Sequence, residues 1–78
     1  MKYVATFFTH AAALLTDRTL KQKHIRSRLG PVPRKLSSSC GTCVMYETDD
    51  PNLECMDRDV EAVYAINEVG YELLLKNE

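Results

Sequence analysis

The 78-residue chain has few cysteines and no long apolar run. Three cysteines are an odd number and too few for the disulfide framework of a small secreted domain, so we expect reduced thiols in a cytoplasmic protein. No apolar stretch approaches the roughly 20 residues of a membrane span, and we expect no membrane partner. The sequence also lacks a phosphate-binding loop, a paired carboxylate dyad and a serine–base arrangement, so no familiar catalytic constellation is present.

Length and composition indicate one small folded domain over residues 1–78. Apolar residues make up 45% of the chain and charged residues 27%, which is typical of a soluble globular protein rather than a disordered tail. A chain of this length supports only a thin core. We therefore expect a two-layer fold with a self-association surface, and hence a homodimer.

Charge is divided between the two halves of the chain. Residues 1–40 contain eight lysines and arginines against one aspartate, whereas residues 41–78 contain ten carboxylates against two cations. In a small domain such halves interleave, which favours complementary faces. Nucleic-acid binding requires a net basic face with stacking aromatic residues, and the sequence has no RNA-reading motif. We predict no nucleic-acid partner.

The first half of the chain has clear local signals. Residues 3–8 are rich in β-forming side chains without polar alternation, which predicts a central strand. Thr9 is placed to cap a helix over about residues 10–23, with Ala13, Thr16 and Leu20 at helical spacing toward the sheet. Strict alternation over residues 25–29 predicts a half-exposed strand with its arginines in water.

The second half is less definite. Gly30 and the prolines that follow predict a loop to residue 40, and residues 42–47 resume as a strand. A short helical turn is expected at residues 53–56. Residues 57–69 fit either a helix ended by Gly70 or a strand over residues 60–66, and we favour the helix because Gly70 lies where a C-terminal cap belongs. A last strand follows at residues 71–75.

This order predicts an α+β fold: a ferredoxin-like βαββαβ sandwich, with two helices on one face of an antiparallel sheet.

Residues 40–43 form a Cys-x-x-Cys motif, a spacing that permits a disulfide or a shared metal ion. The motif opens a strand rather than a helix, which disfavours a thioredoxin-like oxidoreductase. Cys40 follows three serines, a run too polar to bury cheaply, and Arg34 and Lys35 are cations that would favour a thiolate. We therefore predict Cys40 as a reactive thiol. Cys43, beside Val44, is either a core side chain or a resolving thiol.

The remaining candidates carry weaker signals. Cys55 lies in an acidic segment and is interpreted as incidental. A zinc site from the three cysteines and one histidine lacks a second paired-ligand knuckle, so we predict no metal. His10, at the first turn of the predicted helix, either orients a substrate or acts as a base, or is a partly exposed side chain that fills space, and the last role is the commoner. Serines 37–39 either bind an anion or bond their own backbone, and the second role is the commoner.

The chain resembles a family of small bacterial domains described as selenium/sulfur carrier-like. The resemblance rests on Phe-Phe-Thr-His at residues 7–10 and on Pro-Val-Pro-Arg-Lys-Leu-Ser-Ser-Ser-Cys-Gly at residues 31–41, and it covers residues 1 to about 47. It implies that Cys40 corresponds to the family cysteine and that Arg34, Ser39 and Gly41 belong to the motif. Cys43 stands where many members have an ordinary strand residue.

The resemblance implies a carrier in which Cys40 accepts sulfur or selenium as a persulfide-type adduct and passes it from a donor protein to an acceptor protein. No cofactor is required, and turnover belongs to the partner enzymes. Arg34 and the backbone N–H groups around Gly41 are candidates to steady the terminal anion. Two alternatives remain at this stage. One is a redox sensor that cycles Cys40 and Cys43 between dithiol and disulfide, and the other is a non-catalytic interaction domain.

Overall fold

The computed structural model describes residues 1–77. One helix packs on one face of a five-stranded antiparallel sheet whose strand order is β2-β3-β1-β4-β5. The elements are β1 (Lys2–Phe7), α1 (His10–Gln22), β2 (Arg26–Pro31), β3 (Thr42–Glu47), a 3-10 turn (Leu53–Cys55), β4 (Val60–Asn67) and β5 (Gly70–Lys76). Over the described residues, no helix is both long enough and apolar enough to cross a membrane.

Strand β1 lies at the centre of the sheet, as its continuous apolar sequence predicts. Its side chains alternate between the two sheet faces. Tyr3, Ala5 and Phe7 belong to the core cluster that packs under α1. Val4 lies on the opposite face, which no helix covers, yet it is 0% exposed. We call this opposite side the uncovered face.

Helix α1 follows the predicted pattern. The Thr9 hydroxyl accepts a hydrogen bond from the Ala12 N–H at 3.1 Å, which satisfies one of the free donors at the helix start. Ala13, Thr16 and Leu20 are buried, as their spacing predicts. Leu20 is one of the largest fully buried side chains in the described part of the molecule, so it anchors the helix to the sheet.

The predicted second helix is wrong, and the ferredoxin-like fold with it. Residues 60–67 form strand β4, which pairs with β1 on one side and β5 on the other. The alternative prediction, a strand over residues 60–66, is therefore the correct one for this segment. Gly70 has φ +133°, but it opens β5 after a two-residue hairpin turn rather than ending a helix. The spacing of Val60 and Val63 fits a helical period, but a register shift in the pairing of β4 with β1 lets both side chains reach the core from a strand.

Strand β2 extends further than predicted. Pro31 pairs with Thr42 of β3, so the expectation that residues 30–31 exclude a sheet ladder was wrong. β2 is an edge strand, where one side of the backbone has no partner and the missing N–H of a proline is tolerated. The exposed arginines at positions 26 and 28 confirm the predicted half-exposed strand.

Candidate functional site

The two sequence blocks that carry the family resemblance meet at one end of the sheet. The loop over residues 32–41 joins β2 to β3, and the β1–α1 junction lies beside it. The Ser38 hydroxyl donates to the Phe7 carbonyl at 3.2 Å. His10, the first residue of α1, has its Nδ1 atom 3.1 Å from the Thr42 hydroxyl. These contacts join residues 7–10 to the loop that carries Cys40.

A backbone hydrogen bond joins the two ends of this loop, and the chain makes a sharp turn at Gly41. The Val32 N–H donates to the Gly41 carbonyl at 3.3 Å, and the Leu36 N–H donates to the Pro33 carbonyl at 3.0 Å. Gly41 has φ +75°, a left-handed conformation that glycine adopts without a steric penalty. Gly41 therefore sets the direction in which the chain passes from Cys40 into β3.

Cys40 is half-buried at the end of this loop. Its side chain packs against the edge of the core cluster that lies under the helix, and its thiol donates weakly to the Thr42 carbonyl at 3.4 Å. Cys43 and Cys55 are both buried. Cys40 is therefore the one cysteine of the three that is not buried.

Cys43 has different surroundings. It is 0% exposed, lies opposite Thr6 and Gly30 on the uncovered face, and places its sulfur 3.5 Å from the Pro31 carbonyl. Burial raises the pKa of the Cys43 thiol; the charge of Arg28 opposes this rise, and Cys40 adds to it. All three cysteines are free, so residues 40–43 hold no disulfide.

Ser39 is bonded to a residue that the sequence did not suggest. Its N–H donates to Oε1 of Glu61 at 3.0 Å, and its hydroxyl lies 3.3 Å from Oε2. A carboxylate therefore already occupies the Ser39 donors that were candidates for a bound anion. Glu61 was missed because residues 57–69 were assigned to a helix. Only the alternative prediction of a strand over residues 60–66 would have placed Glu61 in the sheet, where it can reach Ser39.

The two cations that precede the serine run in the sequence are exposed. Arg34 and Lys35 both lie at the surface of the loop. Within residues 1–77 the ion pair present joins Lys21 to Asp17 at 2.8 Å, so no carboxylate of the described residues holds Arg34 in an ion pair. Of the six predicted site residues, the structure brings Cys40, Ser39, Gly41 and His10 to one end of the sheet. It buries Cys43 and leaves Arg34 in solvent.

Cys55 lies in the 3-10 turn and belongs to the core cluster. In the part of the chain that the structure describes, no three histidine, cysteine, aspartate or glutamate side chains converge as metal ligands.

Comparisons with known proteins bear on the same region. Neither curated proteins nor solved structures give a match to this chain. The family described as "Putative Se/S carrier protein-like" matches over residues 2–57, which include the two sequence blocks, the Cys40 loop and strands β1 to β3. The chain belongs to this family of selenium/sulfur carrier-like proteins.

Proposed function

We propose that the protein carries sulfur or selenium on Cys40 as a persulfide or its selenium analogue, and relays it between a donor protein and an acceptor protein. The observation that carries this proposal is the exposure of Cys40 on a closed loop while the other two cysteines are buried. A carrier thiol must be reached by two partners in turn, and a surface loop meets that need.

The transfer is a thiol exchange in which atoms and electrons balance. The Cys40 thiolate attacks the outer sulfur of a donor persulfide, a new S–S bond forms, and the donor cysteine leaves as a thiolate. In the second step an acceptor nucleophile attacks the outer atom on Cys40, and the Cys40 thiolate is the leaving group. The same steps apply when the outer atom is selenium. Neither step requires a further oxidant or a cofactor.

The neighbouring groups have distinct roles in this proposal. The exposed Arg34 and the N–H groups around Gly41 are the donors for the terminal anion of the adduct. The Glu61 bonds to Ser39 hold the loop in place rather than bind the cargo. His10 contacts Thr42, whose carbonyl accepts from the Cys40 thiol, so His10 is a positioning residue for this end of the sheet.

A dithiol switch has less support than a carrier. A resolving thiol must ionise and attack, but burial raises the pKa of Cys43. The two side chains also differ in location: Cys40 packs beside the core under the helix, while Cys43 belongs to the uncovered face.

The test is intact mass, without reductant, after the protein is incubated with a cysteine desulfurase and cysteine or, separately, with inorganic polysulfide. We expect one added sulfur that reductant removes, located on Cys40 by peptide mapping. Cys40→Ser should lose this loading and Cys43→Ser should keep it.

Two outcomes contradict the carrier. A disulfide between Cys40 and Cys43 with no sulfur gained would favour the redox switch. An unchanged mass with both donors would leave the non-catalytic interaction domain as the better explanation.

A further inference from the structure

The uncovered face of the sheet has a cationic group that the carrier proposal does not use. Residues paired across antiparallel strands share a face, so the register places Arg26, Glu47 and Lys2 in one row on this side. Arg28 and Met45 lie in the next row. Lys2 and Arg26 therefore flank Glu47, and Arg28 lies one row further along the same face.

These cations have no ion-pair partner among the described residues. The one ion pair within residues 1–77 is on α1, so neither Arg26 nor Lys2 is bridged to Glu47 although both lie opposite it. The Arg28 guanidinium instead lies 3.7 Å from the Met45 sulfur. Exposed cations without a local partner are available to an anion on another molecule.

Apolar side chains lie next to this charge. A shallow groove of about 220 Å³ is lined by Met45 and Ile66 together with the three cations and Glu47. Tyr64, also half-buried on this face, makes an edge-to-face contact with Tyr71 at a centroid distance of 6.4 Å. The surface therefore offers a hydrophobic contact bordered by positive charge, the pattern of a protein interface with a polar rim.

We propose that this groove is a docking surface for an acidic segment of a partner protein, in which carboxylates meet Lys2, Arg26 and Arg28 and an apolar side chain contacts Met45 and Ile66. Charge complementarity selects this occupant. Docking here does not depend on loading of Cys40, so this proposal and the carrier proposal can fail separately.

Two other occupants fit less well. A second copy in a symmetric face-to-face dimer would bring the same cations against each other. Nucleic acid needs many phosphate contacts and free stacking planes, whereas the groove offers only three cations and the Tyr64 and Tyr71 rings contact each other.

The test is an amide-resonance titration of the full-length ¹⁵N-labelled chain with a short synthetic peptide that alternates glutamate and leucine. We expect shifts confined to the start of β1, to β2, to the second half of β3 and to residues around Ile66, with an affinity that falls as salt is added. The double variant Arg26→Ala/Arg28→Ala should bind about tenfold more weakly, since each exposed charge contact contributes up to about 1 kcal/mol. Arg18→Ala/Arg58→Ala, an equal change of charge at exposed positions outside the groove, should bind within about twofold of the wild type.

The proposal is overturned if the acidic peptide causes no shifts, or if both double variants weaken it equally. It is also overturned if a lysine–leucine peptide binds the same residues as well, or if a uridine oligonucleotide binds them more tightly. Circular dichroism of each variant checks that the fold is retained, which we expect because all four arginines are exposed.

Discussion

Cys40 and Cys43 are three positions apart in sequence, yet the fold gives their thiols opposite surroundings. Cys40 is half-exposed at the end of a loop, and Cys43 is fully buried within a strand. The difference arises where the loop becomes β3: Thr42 contacts the first residue of α1, and the next side chain must point to the other face of the sheet. A Cys-x-x-Cys spacing therefore does not by itself define a dithiol pair.

The two cysteines meet two different physical requirements, solvent access for reaction and close packing for stability. A carrier thiol must be reached from solvent, whereas a buried thiol contributes packing and stays protonated. In this chain the two roles are divided between neighbouring cysteines. Substitutions and reagents that distinguish the two thiols therefore test directly whether Cys40 is the reactive thiol and Cys43 the packing one.

The largest expected difference is in the rate of alkylation. In folded protein treated with iodoacetamide, we expect Cys40 to react roughly a hundredfold faster than Cys43, because Cys43 reacts only after a local opening of about 3 kcal/mol. Peptide mapping at successive times measures both rates. Modification in urea, where both thiols are exposed, is the control and should bring the rates together. Equal rates in the folded protein would contradict the assigned burial.

A smaller difference is expected in stability. Cys43→Ser puts a hydroxyl into a buried site where the Pro31 carbonyl is 3.5 Å from the sulfur, and it should lower the free energy of unfolding by about 1–2 kcal/mol. Cys40→Ser changes a partly solvated loop position and should remain within about 0.5 kcal/mol of the wild type. Urea denaturation measures both. Equal losses in the two variants would show that Cys40 is as much a core residue as Cys43.

Local sequence signals predicted the first part of the fold. The Thr9 cap, the helical spacing of Ala13, Thr16 and Leu20, and the β-forming run of β1 each act within a few residues, and the structure confirms these elements. The prolines also predicted the loop over residues 32–40, although Gly30 and Pro31 belong to β2. These signals can be read from the sequence because helix, strand and turn preferences depend on residues that are close together in the chain.

Long-range pairing explains what the sequence did not reveal. The sequence of residues 60–67 fits either a helix or a strand. Hydrogen-bonded pairing with β1, more than fifty positions earlier in the chain, makes this segment a strand. Because Glu61 lies in that strand, its bonds to Ser39 were missed too. The cationic group on the uncovered face was equally hidden, since it forms only when β1, β2 and β3 are set in register.

The smallest expected effect is the pH dependence that Cys43 adds to stability. Burial raises the pKa of this thiol above its ordinary value of 9.0, so the native state keeps a proton that the unfolded chain releases. Because the unfolded state then binds fewer protons, stability is fully present below pH 9 and falls as pH rises. From about pH 7.5 to about pH 9.5 the loss from this group should be up to about 0.8 kcal/mol.

Cys43→Ala isolates that contribution. Tyr46, whose pKa burial also raises, is unchanged in the variant, and its own alkaline effect therefore cancels between the two proteins. Urea unfolding at both pH values should show the wild type losing more stability than Cys43→Ala on going to the higher pH. If the two proteins lose stability equally, the native Cys43 thiol ionises as readily as an unfolded one. The contrast between a reachable Cys40 and a buried, protonated Cys43 would then rest on solvent access alone.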